Sequence, residues 1–227
     1  MPESGKEAIS DFDKKLLIFE KILGQVNLRK QKDKAFVIGI TGIDCSGKST
    51  FSESLQSFFI SRGFNTQSLH LDDFHNPSSY RYSGENQAEN YFNKSFDIDT
   101  IINETLIPVH QNKSFSTILT LLNLMTDKYE IRKEYSINQN TIVIFEGVFL
   151  FREDLAPYID YKVFVEIPFE ESKRRALIRD NKASLKKYDE KYLPAQIRYL
   201  EEFPPSKTAD IVIDNSNWEY PEIIRVL

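Results

Sequence analysis

Short, nearly unbroken apolar runs stand out against a mixed background at Ala35-Phe36-Val37-Ile38-Gly39-Ile40, Thr141-Ile142-Val143-Ile144-Phe145, 160–167 (centred on Val163-Phe164-Val165) and 209–214. Runs of this length, rich in β-branched and aromatic residues, predict strands covered on both faces, as in a parallel sheet. Residues 66–71 predict a further strand, ending at Asp72-Asp73-Phe74. Between the strands the apolar spacing becomes helical. Ile9, Phe12, Leu16, Leu17, Phe19, Ile22, Leu23, Val26 and Leu28 predict an amphipathic helix over 9–32. Thr50 to Ser61 predicts a second, closed by Gly63, and Phe96 to Ile107 a third, stopped before Pro108. Pro168 opens a helix containing Glu170, Glu171, Lys173, Arg174, Arg175 and Arg179; another spans 193–203, and the tail from Trp218 reads as a short helix. Residues 76–93 are polar and aromatic without periodicity, which predicts a long loop. The stretch 109–140 is the least legible: 115–125 fits a strand or hairpin, and 127–140 is charged.

Strands alternating with helices predict α/β architecture with a mostly parallel sheet between two helical layers. At 227 residues the chain suits one such domain with a small lid. We divide it into an N-terminal helix packed on the core, 1–34, and the main domain, 35–227, with a lid at about 175–192. A net charge of −5 argues against general affinity for nucleic acid or anionic membrane. A lone cysteine, a polar start and apolar runs too short to span a bilayer lead us to expect a cytoplasmic protein.

The first apolar run leads into Gly42-Ile43-Asp44-Cys45-Ser46-Gly47-Lys48-Ser49-Thr50, which fits G-x-x-x-x-G-K-[ST] between strand and helix. Glycines let such a loop curl its amides around phosphate oxygens, where the helix dipole adds positive potential. Lys48 is expected to reach the outer phosphates of a nucleotide and the Ser49 hydroxyl to ligate Mg²⁺. The fold expected is therefore the three-layer P-loop NTPase fold.

Phosphoryl transfer needs neutralised phosphates, a metal, a base for the acceptor and exclusion of water. Glu146, ending a buried strand, is a metal candidate beside Ser49, or else caps the next turn. Asp72 and Asp73 also end a strand, where ligands of parallel sheets collect. One of them suits a general base and the other a turn cap. Arg175 and Arg179 share a helix face and suit developing phosphate charge, against a merely solvated basic face. Tyr80, Tyr82 and Tyr91, in the 76–93 stretch, offer flat faces to a substrate.

These residues resemble the uridine kinase and phosphoribulokinase family of P-loop kinases. The likeness is carried by Ile38 through Thr50, Leu71-Asp72-Asp73-Phe74, Phe145-Glu146-Gly147-Val148-Phe149-Leu150, Ile167-Pro168 through Arg179-Asp180, and Ala209 through Asn215. The resemblance implies ATP- and Mg²⁺-dependent phosphorylation of a primary hydroxyl on a small molecule. It makes Asp72 the base, Glu146 the magnesium partner, and Arg175 and Arg179 part of a lid over the phosphates. In the nicotinamide riboside branch an aromatic-Asp pair binds ribose hydroxyls, and Phe96-Asp97 matches it in position; Asp97 equally suits the cap of the helix beside it. A ribonucleoside such as uridine or cytidine is the expected acceptor, with nicotinamide riboside and pantothenate as alternatives. The pyrimidine-binding Tyr/His pair of uridine kinases has no clear counterpart within 115–130. A P-loop GTPase or ATPase switch is the rival class. It would need N-K-x-D, but Asn93-Lys94-Ser95-Phe96 lacks the Asp, and the sole D-x-x-G lies inside the phosphate loop.

Overall fold

The computed structural model describes residues 11–111, 114–180 and 184–227. Its strands are β1 (Phe36–Thr41), β2 (Asn65–His70), β3 (Ser114–Asn123), β4 (Lys128–Asn138), β5 (Thr141–Gly147), β6 (Tyr161–Glu166), β7 (Ile211–Asp214) and β8 (Glu222–Val226). One six-stranded sheet has the order β2-β5-β1-β6-β7-β8, and β3 and β4 form a separate hairpin. All pairings in the large sheet are parallel except β7 with β8.

Alternate side chains of each strand enter opposite layers, which is why the central runs carry no polar alternation. From β1, Phe36, Ile38 and Ile40 meet α1 (Asp11–Arg29) and α2 (Lys48–Ser61), through Ile22 and Val26 of the first and Phe51, Leu55 and Phe59 of the second. Val37, Val143, Phe145 and Val212 point the other way, toward Tyr91, Phe92, Leu106 and Tyr199. The result is a three-layer α/β fold. A fully buried apolar side chain is worth roughly 1.5–3 kcal/mol. Ile18, Phe19, Ile22, Leu23 and Val26 are all buried, so α1 is integral to one face of the core.

Several local expectations need correction. The stretch 76–93 is not one loop: it contains the helical turn Ser78–Arg81 and the helix Gln87–Lys94. Asn86 caps the latter, accepting from the Ala88 and Glu89 amides, and Ala88, Tyr91 and Phe92 supply the inward face. The third helix runs on from Ile98 through Pro108 to Gln111. A wide π-type turn at Ile102–Leu106 ends two residues before Pro108, whose ring would otherwise meet the carbonyl four residues back. The tail is strand β8, antiparallel to β7, with Val226 packed on the core. It covers an edge that β7 would leave unpaired. The ambiguous 115–125 stretch is the first half of the β3–β4 hairpin, and the charged residues after it face solvent along β4 except Lys133, which is partly covered. No described helix is long and apolar enough to cross a membrane.

Candidate active site

The phosphate loop leaves β1 at its C-terminal end and enters α2. A Cβ on Gly42 would sit 2.5 Å from the Ser46 hydroxyl and the Val165 carbonyl, so the loop closes only around glycine there. Cys45 (φ 59°) and Gly47 (φ 86°) adopt left-handed backbone, the alternation that turns successive amides inward as an anion nest. For Cys45, which has a Cβ, this costs about 1–2 kcal/mol and must be imposed by its surroundings. Those surroundings are visible: Arg175 Nη1 donates to the Cys45 and Ser46 carbonyls at 3.3 and 3.4 Å, and Asn215 Nδ2 to that of Ser46 at 2.6 Å. The first amides of α2 have no partner within the helix and face the same concavity. Lys48 is 9% exposed beside it. This set of donors fits the phosphates of a nucleotide.

Glu146, at the end of β5, is brought beside the loop because β5 is the neighbour of β1. The Ser49 hydroxyl donates to its Oε2 at 3.2 Å, and His70 Nδ1 lies 3.0 Å from Oε1. Burial works to raise the Glu146 carboxyl. The His70 hydrogen bond, the Lys48 ammonium and the Ser49 hydroxyl overcome it and hold the group below the ordinary glutamate range. His70 is raised by the same hydrogen bond against desolvation. A buried, ionised carboxylate next to a hydroxyl is a donor pair that fits Mg²⁺. His70 escaped the sequence reading; its only signal was its place at the end of a strand just before the paired aspartates.

The two aspartates are told apart by the structure. Asp73 is ion-paired to Lys133 of the hairpin, whereas Asp72 lines a cavity of about 460 Å³ against the phosphate loop. Tyr82 and Tyr91 line that cavity as well, with Asp44, Lys187, Lys191 and Tyr192. Tyr80 is not among the lining residues; it is half exposed, with Lys94 over its ring. Tyr91 is buried, its hydroxyl 3.4 Å from both Asp44 oxygens. Asp97 is also outside the lining, and both its oxygens serve Thr100: Oδ1 accepts from the amide at 3.0 Å and Oδ2 from the hydroxyl at 2.8 Å.

Asp44, a variable position of the loop pattern, is gripped by side chains that sequence gave no reason to connect with it. Gln196 accepts from its amide at 2.9 Å and donates to its Oδ2 at 2.6 Å, and Ser172 donates to its carbonyl at 2.7 Å. Burial raises the Asp44 carboxyl, partly opposed by Lys48. Arg175 has a different task from the expected one. Its Nε is bound to Glu171, Nη1 to the loop carbonyls, and Nη2 to the Asn215 and Ser216 carbonyls, at 2.7 Å for the first of these and 2.9 Å for the second. It braces the loop from outside. Arg179 stands one turn further along and lines both the Asp72 cavity and a second one of about 420 Å³ on the other side of the loop. Gly47, Thr50, Ile178 and Trp218 line that second cavity, and Cys45 is common to both. Of the lid expected at about 175–192, residues 181–183 lie outside the described residues.

Residues 37–214 match the profile of the Phosphoribulokinase / Uridine kinase family. The chain belongs to that family. It is a P-loop kinase. Its similarity to human nicotinamide riboside kinase 1 is 25% identity over 196 residues, covering 85% of this chain and 90% of the relative. To the uridine kinase of Chlamydia pneumoniae it is 22% over 201 residues, covering 84% and 86%. Among solved structures, a possible uridine kinase from Bacillus stearothermophilus superimposes with a TM-score of 0.68 at 22% identity, covering 87% of this chain and 98% of that one. That likeness is one of fold.

Proposed function

We propose that this P-loop kinase transfers the γ-phosphoryl group of ATP to the primary hydroxyl of a small molecule. The observation that carries the reading is the pair of cavities meeting at Cys45 and Arg179, one on each side of the phosphate loop. The Gly47–Trp218 cavity takes the nucleotide, and the Asp72 cavity takes the acceptor. In this reading Gly42 to Thr50 cradle the phosphates, Lys48 holds the outer ones, and Arg179 sits over the transferred group. Ser49 and Glu146 would hold Mg²⁺, which when bound supplies neutralising charge. Asp72 accepts the acceptor's proton as the new P–O bond forms and the bond from the γ-phosphorus to the bridging oxygen breaks to release ADP, and the helical segment 184–192 keeps water out. The test is to incubate the protein with ATP, Mg²⁺ and a panel of small primary alcohols, scoring phosphorylated product by mass. Product with at least one alcohol, lost in Lys48→Ala, is expected. Acceptor-independent nucleotide hydrolysis alone would favour a switch protein.

Within that reading the acceptor proposed is ribonucleoside-like, supported by the likeness to uridine and nicotinamide riboside kinases. Asp97 lends no support, because its oxygens are committed to Thr100. Asp97→Ala is expected to lower stability by about 0.5–2 kcal/mol, as a lost helix cap does. It should leave the ratio of ribose to 2′-deoxyribose turnover unchanged. A variant that loses its ribose preference would return Asp97 to the substrate site.

A further inference from the structure

Lys191 is only 5% exposed, yet no ion pair of the described residues includes it. Its Nζ faces three rings instead, 5.1 Å from the centroids of Tyr82 and Tyr91 and 5.2 Å from that of Tyr192. Two further cations reach the same aromatic cluster from other turns of the chain. Lys187 Nζ lies 5.5 Å from the Tyr192 ring and the Arg81 guanidinium 5.2 Å from the Tyr82 ring. Arg81, Lys187 and Lys191 all line the Asp72 cavity.

Counting Arg179, four cations line the cavity against three carboxylates, Asp44, Asp72 and Asp127, and among the described residues no carboxylate lies within ion-pair distance of Lys187 or Lys191. Asp127, 3.5 Å from Arg81, already accepts from the Ser78 amide at 2.8 Å and the Ser78 hydroxyl at 2.6 Å. Asp44 is held by Gln196 and Tyr91. Arg81 Nε is buried with no hydrogen-bond partner. Desolvation, with Lys187 and Arg81 adding repulsion, brings Lys191 down to about 8. Ring faces attract each cation singly but do nothing about repulsion between cations. Filling a tyrosine-walled space needs only an apolar side chain. Two lysines without a carboxylate partner, in a cavity lined by one more cation than carboxylates, are an arrangement that recognises an anion. None of these three side chains lines the cavity on the nucleotide side of the loop, so they border the space given to the acceptor.

We propose that Arg81, Lys187 and Lys191 form a binding site for an anionic group of the acceptor, a carboxylate or a phosphate, with the hydroxyl to be phosphorylated directed at Asp72. This rests on the kinase reading for the role of Asp72, and it holds for an acidic nucleoside as for a simpler hydroxy acid or sugar phosphate.

Two arms test it. In the first, orthophosphate and acetate are titrated calorimetrically into protein saturated with Mg²⁺ and a non-hydrolysable ATP analogue. Saturable binding of at least one anion is expected, weakened at least tenfold in Lys191→Met and in Lys187→Met, the latter at an exposed position where folding is not at stake. The stronger of the two anions names the source. Absence of saturable binding, or equal binding in the variants, overturns the proposal whatever the turnover results. In the second arm, acceptors are compared in pairs that differ by the charge: nicotinic acid riboside with nicotinamide riboside, pantothenate with pantothenol, sugar phosphates with free sugars. The charged member is expected to have the higher kcat/KM by at least tenfold, with Lys191→Met raising its KM and leaving the KM for ATP in place. Preference for the neutral members overturns the proposal while leaving the kinase reading intact. Anion binding without product from any acceptor instead sinks the kinase reading.

Discussion

The Ser49 hydroxyl and Glu146 Oε2 lie 3.2 Å apart, although 97 residues separate them in the chain. Parallel pairing of β1 with β5 aligns Thr41 with Gly147, so the phosphate loop and the strand-end carboxylate emerge side by side. Glu146→Gln keeps the shape and removes the charge. We expect the Mg²⁺ concentration for half-maximal turnover to rise by about 10–100-fold, in the range seen when a metal site loses a polar support. A Mg²⁺ titration that matches wild type would remove Glu146 from the metal site.

Asp72→Asn and Asp73→Asn are expected to differ sharply. Asp72 lines the cavity proposed for the acceptor, while Asp73 is tied to Lys133. Loss of the base should cut kcat by roughly 10²–10⁴ with little change in the KM for ATP. Asp73→Asn removes one partly exposed ion pair, worth about 0–1 kcal/mol. Steady-state kinetics of both variants decide the assignment, and the opposite ranking would move the base to Asp73.

Arg175→Met removes the brace from the left-handed Cys45 turn. Carbonyls of Asn215 and Ser216 lose charged donors, at about 1–3 kcal/mol for each that stays buried without a partner. The expected result is a lower Tm together with a higher KM for ATP, because the loop is no longer held in shape before nucleotide arrives. A fall in kcat alone, at unchanged Tm, would instead give Arg175 a direct part in the transfer.

The charge on Lys191 sets a pH window. Arg81 and Tyr82, Tyr91, Asp44, and its own neighbours Lys187 and Tyr192 face it, and burial with the two cations lowers it from 10.5 to about 8. Between about 8 and 10.5 the unfolded chain binds more protons than the folded one, so this group makes the unliganded protein more stable as pH rises through that range. Anion binding should change in the opposite sense, weakening above pH about 8 as the ammonium is lost. Titrations of orthophosphate and Tm measurements at pH 7 and 9 should show both trends, and both should be absent from Lys191→Met.

What the sequence determined by itself was whatever a contiguous stretch can encode. The apolar runs of β1, β5, β6 and β7 declare strands buried on both faces, and the glycines and Lys48-Ser49 declare a phosphate loop, because these properties reside in neighbouring residues. Glu146 was legible for the same reason, as a carboxylate at the end of such a strand, whereas Asp72 follows β2, an edge strand that is only partly buried. Tertiary structure alone decided how distant side chains share donors and charge. Nothing near Arg175 foretells that it braces the loop with Asn215, and nothing near Gln196 foretells its grip on Asp44, 152 residues away. The tail became a strand because β7 offered an unpaired edge, a requirement invisible from residues 218–227. The caging of Lys191 needed Tyr82, Tyr91 and Tyr192 brought together from three parts of the chain. Only the fold fixes such a charge balance, since it is a sum over neighbours in space.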